Sequence, residues 1–143
     1  MERIFTLSEA EAILPAVAAL LEEARAALAH ASERHEQIQN LRRRVLMMGG
    51  VQLNPLHSAD LVAERDRSAA IAHKSLAAIQ EQGVQVKDVE AGLLDFPARR
   101  GGRIVLLCWK RGEAAIQHWH GLEEGFSGRK PIQRARFSGG PVQ

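Results

Sequence analysis

The stretch that decides the fold is Leu93-Leu94-Asp95-Phe96-Pro97-Ala98-Arg99-Arg100-Gly101-Gly102-Arg103-Ile104-Val105-Leu106-Leu107-Cys108-Trp109-Lys110. Two runs suited to β-structure flank Gly101-Gly102, a pair suited to a two-residue hairpin turn. A tight turn there sets Asp95 opposite Cys108 and Arg99 opposite Ile104. The second run, Ile104 to Trp109, is apolar on both of its alternating faces, as a central strand should be. Pro97 lacks a backbone donor, so its own strand is expected at a sheet edge.

Working towards the C-terminus, Arg111-Gly112 is a weaker turn signal, and Ala114 to Trp119 reads as a third strand. A tight turn there sets Lys110 opposite Glu113. One face of the resulting meander then carries Leu94, Phe96, Val105, Leu107, Trp109, Ile116 and His118, and should pack on helices. The other face carries Asp95, Arg99, Cys108, Lys110, Glu113, Gln117 and Trp119. Val84-Gln85-Val86 alternates and adds a short strand ahead of the hairpin. Gly125, Gly128, Pro131, Gly139, Gly140 and Pro141 mark an extended tail, wrapping the sheet to about Ile132 and flexible beyond Arg136.

Working towards the N-terminus, the period changes at Gly83 from two to that of a helix. Thr6-Leu7-Ser8-Glu9 matches a capping box, and Ser8 with Glu11 offers a second register of it. Pro15 should divide a short helix, about Leu7 to Leu14, from a longer one. The longer helix carries Val17, Leu21, Ala24, Leu28, Ala31, His35 and Ile38 on one stripe, and ends at Met48-Gly49-Gly50. Ser58 caps a second long helix whose inward residues, Val62, Ala69, Ala72, Leu76 and Ile79, are mostly small. The two form an antiparallel hairpin, with arms of roughly 50 Å and about 36 Å at 1.5 Å per residue. The overhang of the first arm calls for a cover, and a second copy of the chain is the simplest one. The expected architecture is α+β: a helical hairpin over 1–83 and a three- to four-stranded antiparallel sheet over 84–132, packed as one domain, with 133–143 a flexible tail.

Composition excludes several classes. The 143 residues are 45% apolar and 25% charged, an ordinary globular balance. A single cysteine rules out an internal disulfide framework and a Cys-rich zinc module. The longest apolar runs are too short to span a bilayer, and no cleavable leader precedes the first helix, so a cytoplasmic protein without membrane contact is expected. Basic residues gather in the second half, at Arg99, Arg100 and Arg103 and again at Arg129, Lys130, Arg134 and Arg136. Such a bias suits phosphates or an acidic partner, yet without interleaved aromatics nucleic acid is not expected, and a solvated basic surface is read.

The residues that could carry chemistry sit on the polar sheet face. Cys108, His118, His120, Asp95, Glu113 and the Glu123-Glu124 pair combine thiolate, imidazole and carboxylate, which suits zinc or iron. The tight second turn argues against them as one ligand set, because it points His118 and His120 away from Cys108. A turn one residue longer would bring them round, but with His120 opposite Ile104, about 13 Å along the strand from Cys108. No familiar ligand spacing is present, so no metal and no cofactor are expected. Asp95, Arg99, Cys108, Glu113, Trp119 and His120 are the expected ligand-binding residues. A noncatalytic binding or interaction module, dimeric and serving an unidentified protein or small molecule, is the favoured reading. A small metal- or small-molecule-binding enzyme centred on Asp95, Cys108 and Glu113 is the alternative.

A family resemblance rests on Phe5-Thr6-Leu7 with Glu9-Ala10 and Leu14-Pro15, Val86-Lys87-Asp88, Gly92-Leu93, Asp95-Phe96-Pro97-Ala98, Leu107-Cys108-Trp109-Lys110, Gly112-Glu113, Trp119-His120, Gly128-Arg129 and Pro131-Ile132. Together these resemble the bacterial and archaeal family catalogued as domain of unknown function 2203, over nearly the whole chain. The resemblance brings no reaction, cofactor or catalytic residue with it.

Overall fold

The computed structural model describes residues 3–48 and 55–133. Two long helices, α1 (Leu7–Met47) and α2 (Pro55–Glu81), precede five strands: β1 (Gln85–Asp88), β2 (Leu93–Arg100), β3 (Arg103–Lys110), β4 (His118–His120) and β5 (Lys130–Pro131). The strands form one antiparallel sheet in chain order, with β3 at its centre. The fold is therefore α+β, and the sheet has five strands, one more than the most expected. The expected flexible end beyond Arg136 lies outside the described residues.

The start of α1 is set by the capping box. The Thr6 N–H donates to Glu9 Oε1 at 2.8 Å and the Glu9 N–H to Thr6 Oγ1 at 3.0 Å. Pro15 does not divide the helix: α1 runs through it without a break. A proline in a helix interior costs about 3 kcal/mol, but Leu14 and Val17 on either side of it are buried in the core. Burial of such side chains, each worth roughly 1.5–3 kcal/mol, outweighs the local cost.

Residues up to Leu21 and from Leu76 onward make one compact unit, and Glu22–Ser75 makes another. In the first, Phe5, Leu7, Leu14, Val17, Leu21 and Ile79 pack with Leu94, Phe96, Val105, Leu107, Trp109 and Ile116. The early turns of α1 are thus covered by the chain's own sheet. In the second, α1 buries Ala24, Ala27, Ala31 and Ile38, while α2 buries Leu61, Ser68 and Ala72. Leu28, His35 and Ala69, expected inward, are exposed. An untwisted helix drifts from a strict seven-residue repeat, and the seam moves to Ala27, one residue before Leu28.

The β2–β3 register is as expected, with Asp95 opposite Cys108 and Arg99 opposite Ile104. Gly101 and Gly102 both have positive φ, 57° and 79°, as a tight hairpin turn of this hand requires. The edge position expected for β2 is overturned, since β1 and β3 flank it. Pro97 is tolerated because β1 pairs no further than Asp95. Beyond that point the Phe5 N–H donates to the Pro97 carbonyl at 2.7 Å. That contact needs only an acceptor, which proline has.

The second hairpin is also corrected. Lys110 and Glu113 do close a turn, the Glu113 N–H donating to the Lys110 carbonyl at 2.9 Å. The chain then stays outside the ladder until His118, which pairs with Cys108, while Trp119 pairs with Leu107 and His120 with Leu106. Continuing the tight turn would have set Ala115 opposite Cys108, so the register is displaced by three residues. An odd displacement sends every side chain of the strand to the other face. His118 and His120 therefore join the face of Cys108, and Trp119 packs with the core instead.

Candidate functional site

The polar face takes its residues from three neighbouring strands. Asp95 stands in mid-β2 and Cys108 opposite it in β3, while His120 ends β4 opposite Leu106, diagonal to Cys108. All three are buried, at 1%, 1% and 3% exposure. One ligand-type atom from each (a carboxylate oxygen, Sγ and an imidazole nitrogen) lies within 4.8 Å of the other two. They line a cavity of about 160 Å³, walled further by Leu93, Leu106, Leu122 and Phe126 and by the polar Lys87 and Glu124. That is room for a few water-sized groups.

The electrostatics of the trio are incomplete. His120 Nδ1 lies 2.8 Å from the Gly121 carbonyl oxygen and Nε2 3.1 Å from Asp95 Oδ2. Both partner atoms are acceptors, and a neutral imidazole has only one N–H to give. The arrangement closes only when one further cation, a proton or a metal ion, is shared between imidazole and carboxylate. Asp95 Oδ1 is buried without a hydrogen-bond partner. Burial, followed by the negative charge of Asp95, pushes the Cys108 thiol up to about 12, although Arg129 pulls it down. At neutral pH the sulfur keeps its proton.

A second cluster adjoins the first. Arg129 Nη2 lies 2.7 Å from both Glu113 carboxylate oxygens and 2.8 Å from His118 Nδ1, with two hydrogens to share among them. It also reaches the Cys108 carbonyl at 3.5 Å. The Arg129 guanidinium, 11% exposed, lies over the Phe126 ring at 4.5 Å, with the Lys110 ammonium 5.2 Å from the same ring. These contacts fasten the Phe126–Gly128 turn beside the trio. Glu124 Oε1 accepts from the Gly121 N–H at 2.8 Å and from Lys130 Nζ at 2.7 Å. The Lys130 bond, then the backbone one, holds the Glu124 carboxyl below its usual range.

Of the six expected ligand-binding residues, the structure brings together Asp95, Cys108 and His120. Glu113 belongs to the neighbouring Arg129 cluster. Arg99 is exposed near the end of β2. Trp119 is on the other face, with Arg100 4.5 Å and Lys130 4.8 Å from its ring. Arg129, expected in solvated basic surface, instead holds the second cluster together. The signal that could have corrected the register is the His118-Trp119-His120 alternation: the indole belongs with the core, which turns both imidazoles the other way.

No curated protein and no solved structure matches this chain. A family described as "Uncharacterized conserved protein (DUF2203)" matches it over residues 3–132, a span that takes in α1, all five strands and both side-chain clusters. The chain is a member of that uncharacterised conserved family.

Proposed function

We propose that this protein binds a divalent transition metal, zinc by the chemistry of its donors, through Asp95, Cys108 and His120. The observation that carries the reading is the convergence of three buried donor atoms, of the thiolate, imidazole and carboxylate types, within 4.8 Å of one another. Two features support it. The unpartnered Asp95 Oδ1 is a buried acceptor in want of a cation. The Gly121 carbonyl, 2.8 Å from His120 Nδ1, favours the hydrogen on that nitrogen, which would leave Nε2, beside Asp95 Oδ2, to meet the ion, as the outer partners of metal-binding histidines do.

Three protein donors leave a tetrahedral ion one further position, and the adjoining cavity is where an outside ligand would enter. The expected binding module on the polar sheet face thereby acquires a ligand, with Glu113 and Arg129 supporting it rather than touching the ion. To hold an ion, Cys108 would release its thiol proton to solvent, and His120 and Asp95 would face the ion together from across β3. Because the thiol is held up to about 12, that release opposes binding at low pH, and affinity rises with pH through the neutral range.

The test is equilibrium dialysis of the purified chain against zinc with elemental analysis, repeated with cobalt(II) to look for thiolate-to-cobalt charge transfer. One ion per chain is expected, lost in Cys108→Ala and Asp95→Asn and kept in Glu113→Gln. Substoichiometric metal in the unaltered chain, or full retention in Cys108→Ala, would overturn the reading.

A further inference from the structure

The arginines at the tip of the β2–β3 hairpin are absorbed neither by the metal reading nor by the core. Arg100 and Arg103 face each other across Gly101-Gly102, a like-charge pair that is unfavourable without compensation. The Arg100 guanidinium lies 4.5 Å from the Trp119 ring centre, which fixes its direction. Its Nε is buried and has no hydrogen-bond partner. Two other half-buried arginines meet carboxylates: Arg34 Nε lies 2.8 Å from Glu64 Oε2, and Arg129 Nη2 lies 2.7 Å from Glu113 Oε1. Arg100 has no carboxylate partner among the described residues.

Arg100 and Arg103 open on a cavity of about 440 Å³, lined also by Trp119, Leu122, Glu123 and Glu124. That volume suits a small metabolite. Glu124 is already engaged by Lys130 and by the Gly121 N–H, and the exposed Glu123 makes no ion pair with either arginine among the described residues. We infer that this cavity binds a small phosphate-bearing ligand, with Arg100 as the oriented anchor and Arg103 as the second donor. A tetrahedral phosphate offers enough oxygens to accept from both guanidinium forks at once, whereas one carboxylate is matched by a single fork. A single-stranded nucleic acid fits less well. Its bases need an open aromatic face, and the ring of Trp119 already has Arg100 and Lys130 against it. The inference does not depend on a bound metal.

Inorganic pyrophosphate is the probe, titrated into the full chain by calorimetry and followed through the Arg100 Nε–H and Trp119 indole N–H resonances. Saturation at one per chain is expected, with both resonances moving. Arg100→Gln should weaken binding at least about tenfold, as loss of a charge-assisted donor set does. Arg103→Gln, an exposed position beside a turn and safe for folding, should weaken it several-fold, and Arg99→Gln should leave it unchanged. Absence of saturation would overturn the inference. So would equal weakening by Arg99→Gln, or tighter binding of a mixed-sequence oligonucleotide than of pyrophosphate, either of which would mark a nonspecific basic surface.

Discussion

The sheet unit and the helical arm Glu22–Ser75 are stabilised by different means, and the contrast shows where chemistry can be built. The sheet unit buries large side chains, among them Phe5, Phe96, Leu107 and Trp109, with the Phe5 and Phe96 rings edge to face at 5.5 Å. The arm buries alanines and serines, Ala24, Ala27, Ala31, Ser68 and Ala72, with Ile38 and Leu61 as its larger members. Large interlocking side chains admit one ladder register, because a slip of one residue would turn the core outward. That constraint allows Asp95, Cys108 and His120 to be held buried and close. A seam of small residues brings two backbones together but leaves little to position a reactive group.

The comparison is broken first at its strongest point. Phe96→Ala should cost about 3–5 kcal/mol in chemical denaturation, the usual range for a buried phenylalanine. If the loss were under about 1 kcal/mol, the sheet core would not be what sets the register. In the arm, Ala72→Leu should cost roughly 1–3 kcal/mol by overpacking the seam; a neutral result would show that the two helices approach less closely there than their small residues imply.

Smaller effects sharpen the picture. Thr6→Ala should remove about 0.5–2 kcal/mol with the capping box. The Thr6 N–H and hydroxyl hold the Glu9 carboxyl below its ordinary value. The cap contribution is therefore present above the unfolded pKa of Glu9 and is lost as pH falls through the lower, folded one. Acid titration of stability should show that loss in the parent chain, a smaller one in Thr6→Ala, which keeps the Thr6 N–H, and none in Glu9→Gln. The Arg34–Glu64 pair, at 2.8 Å on the arm, is partly exposed, and Glu64→Gln should change stability by no more than about 1 kcal/mol. Self-association is assigned as a proposal to the arm, where Leu28 and Ile71 stay exposed. Sedimentation equilibrium at twice 15.7 kDa would support it, and a monomer at all accessible concentrations would remove it.

How much was legible in the residues depends on how far each feature reaches along the chain. The capping box spans four residues, and the Gly101-Gly102 hairpin is closed by its own turn, so both could be read directly. Pro15 and Pro97 depart from expectation because local rules treat a proline as a breaker or an edge marker. The packing around Leu14 and Val17, and the acceptor-only contact with Phe5, come from residues distant in space or sequence. Three of the six expected residues, Asp95, Cys108 and His120, lie together in the structure, the first two in the register that the hairpin implies. Arg129 went unrecognised because its partners, Glu113 and His118, are 16 and 11 residues away.

By itself the sequence determined the α+β order, the β2–β3 register and the pairing of Asp95 with Cys108, since each depends on a turn or period written locally. Tertiary structure alone decided which face His118 and His120 take. The connector after Lys110 can close tightly or run on to His118, and the turn residues do not choose between them. The choice falls to the core, which buries Ile116 and takes Trp119 against it. With the indole inward, alternation along a strand leaves the imidazoles nowhere to go but beside the thiol.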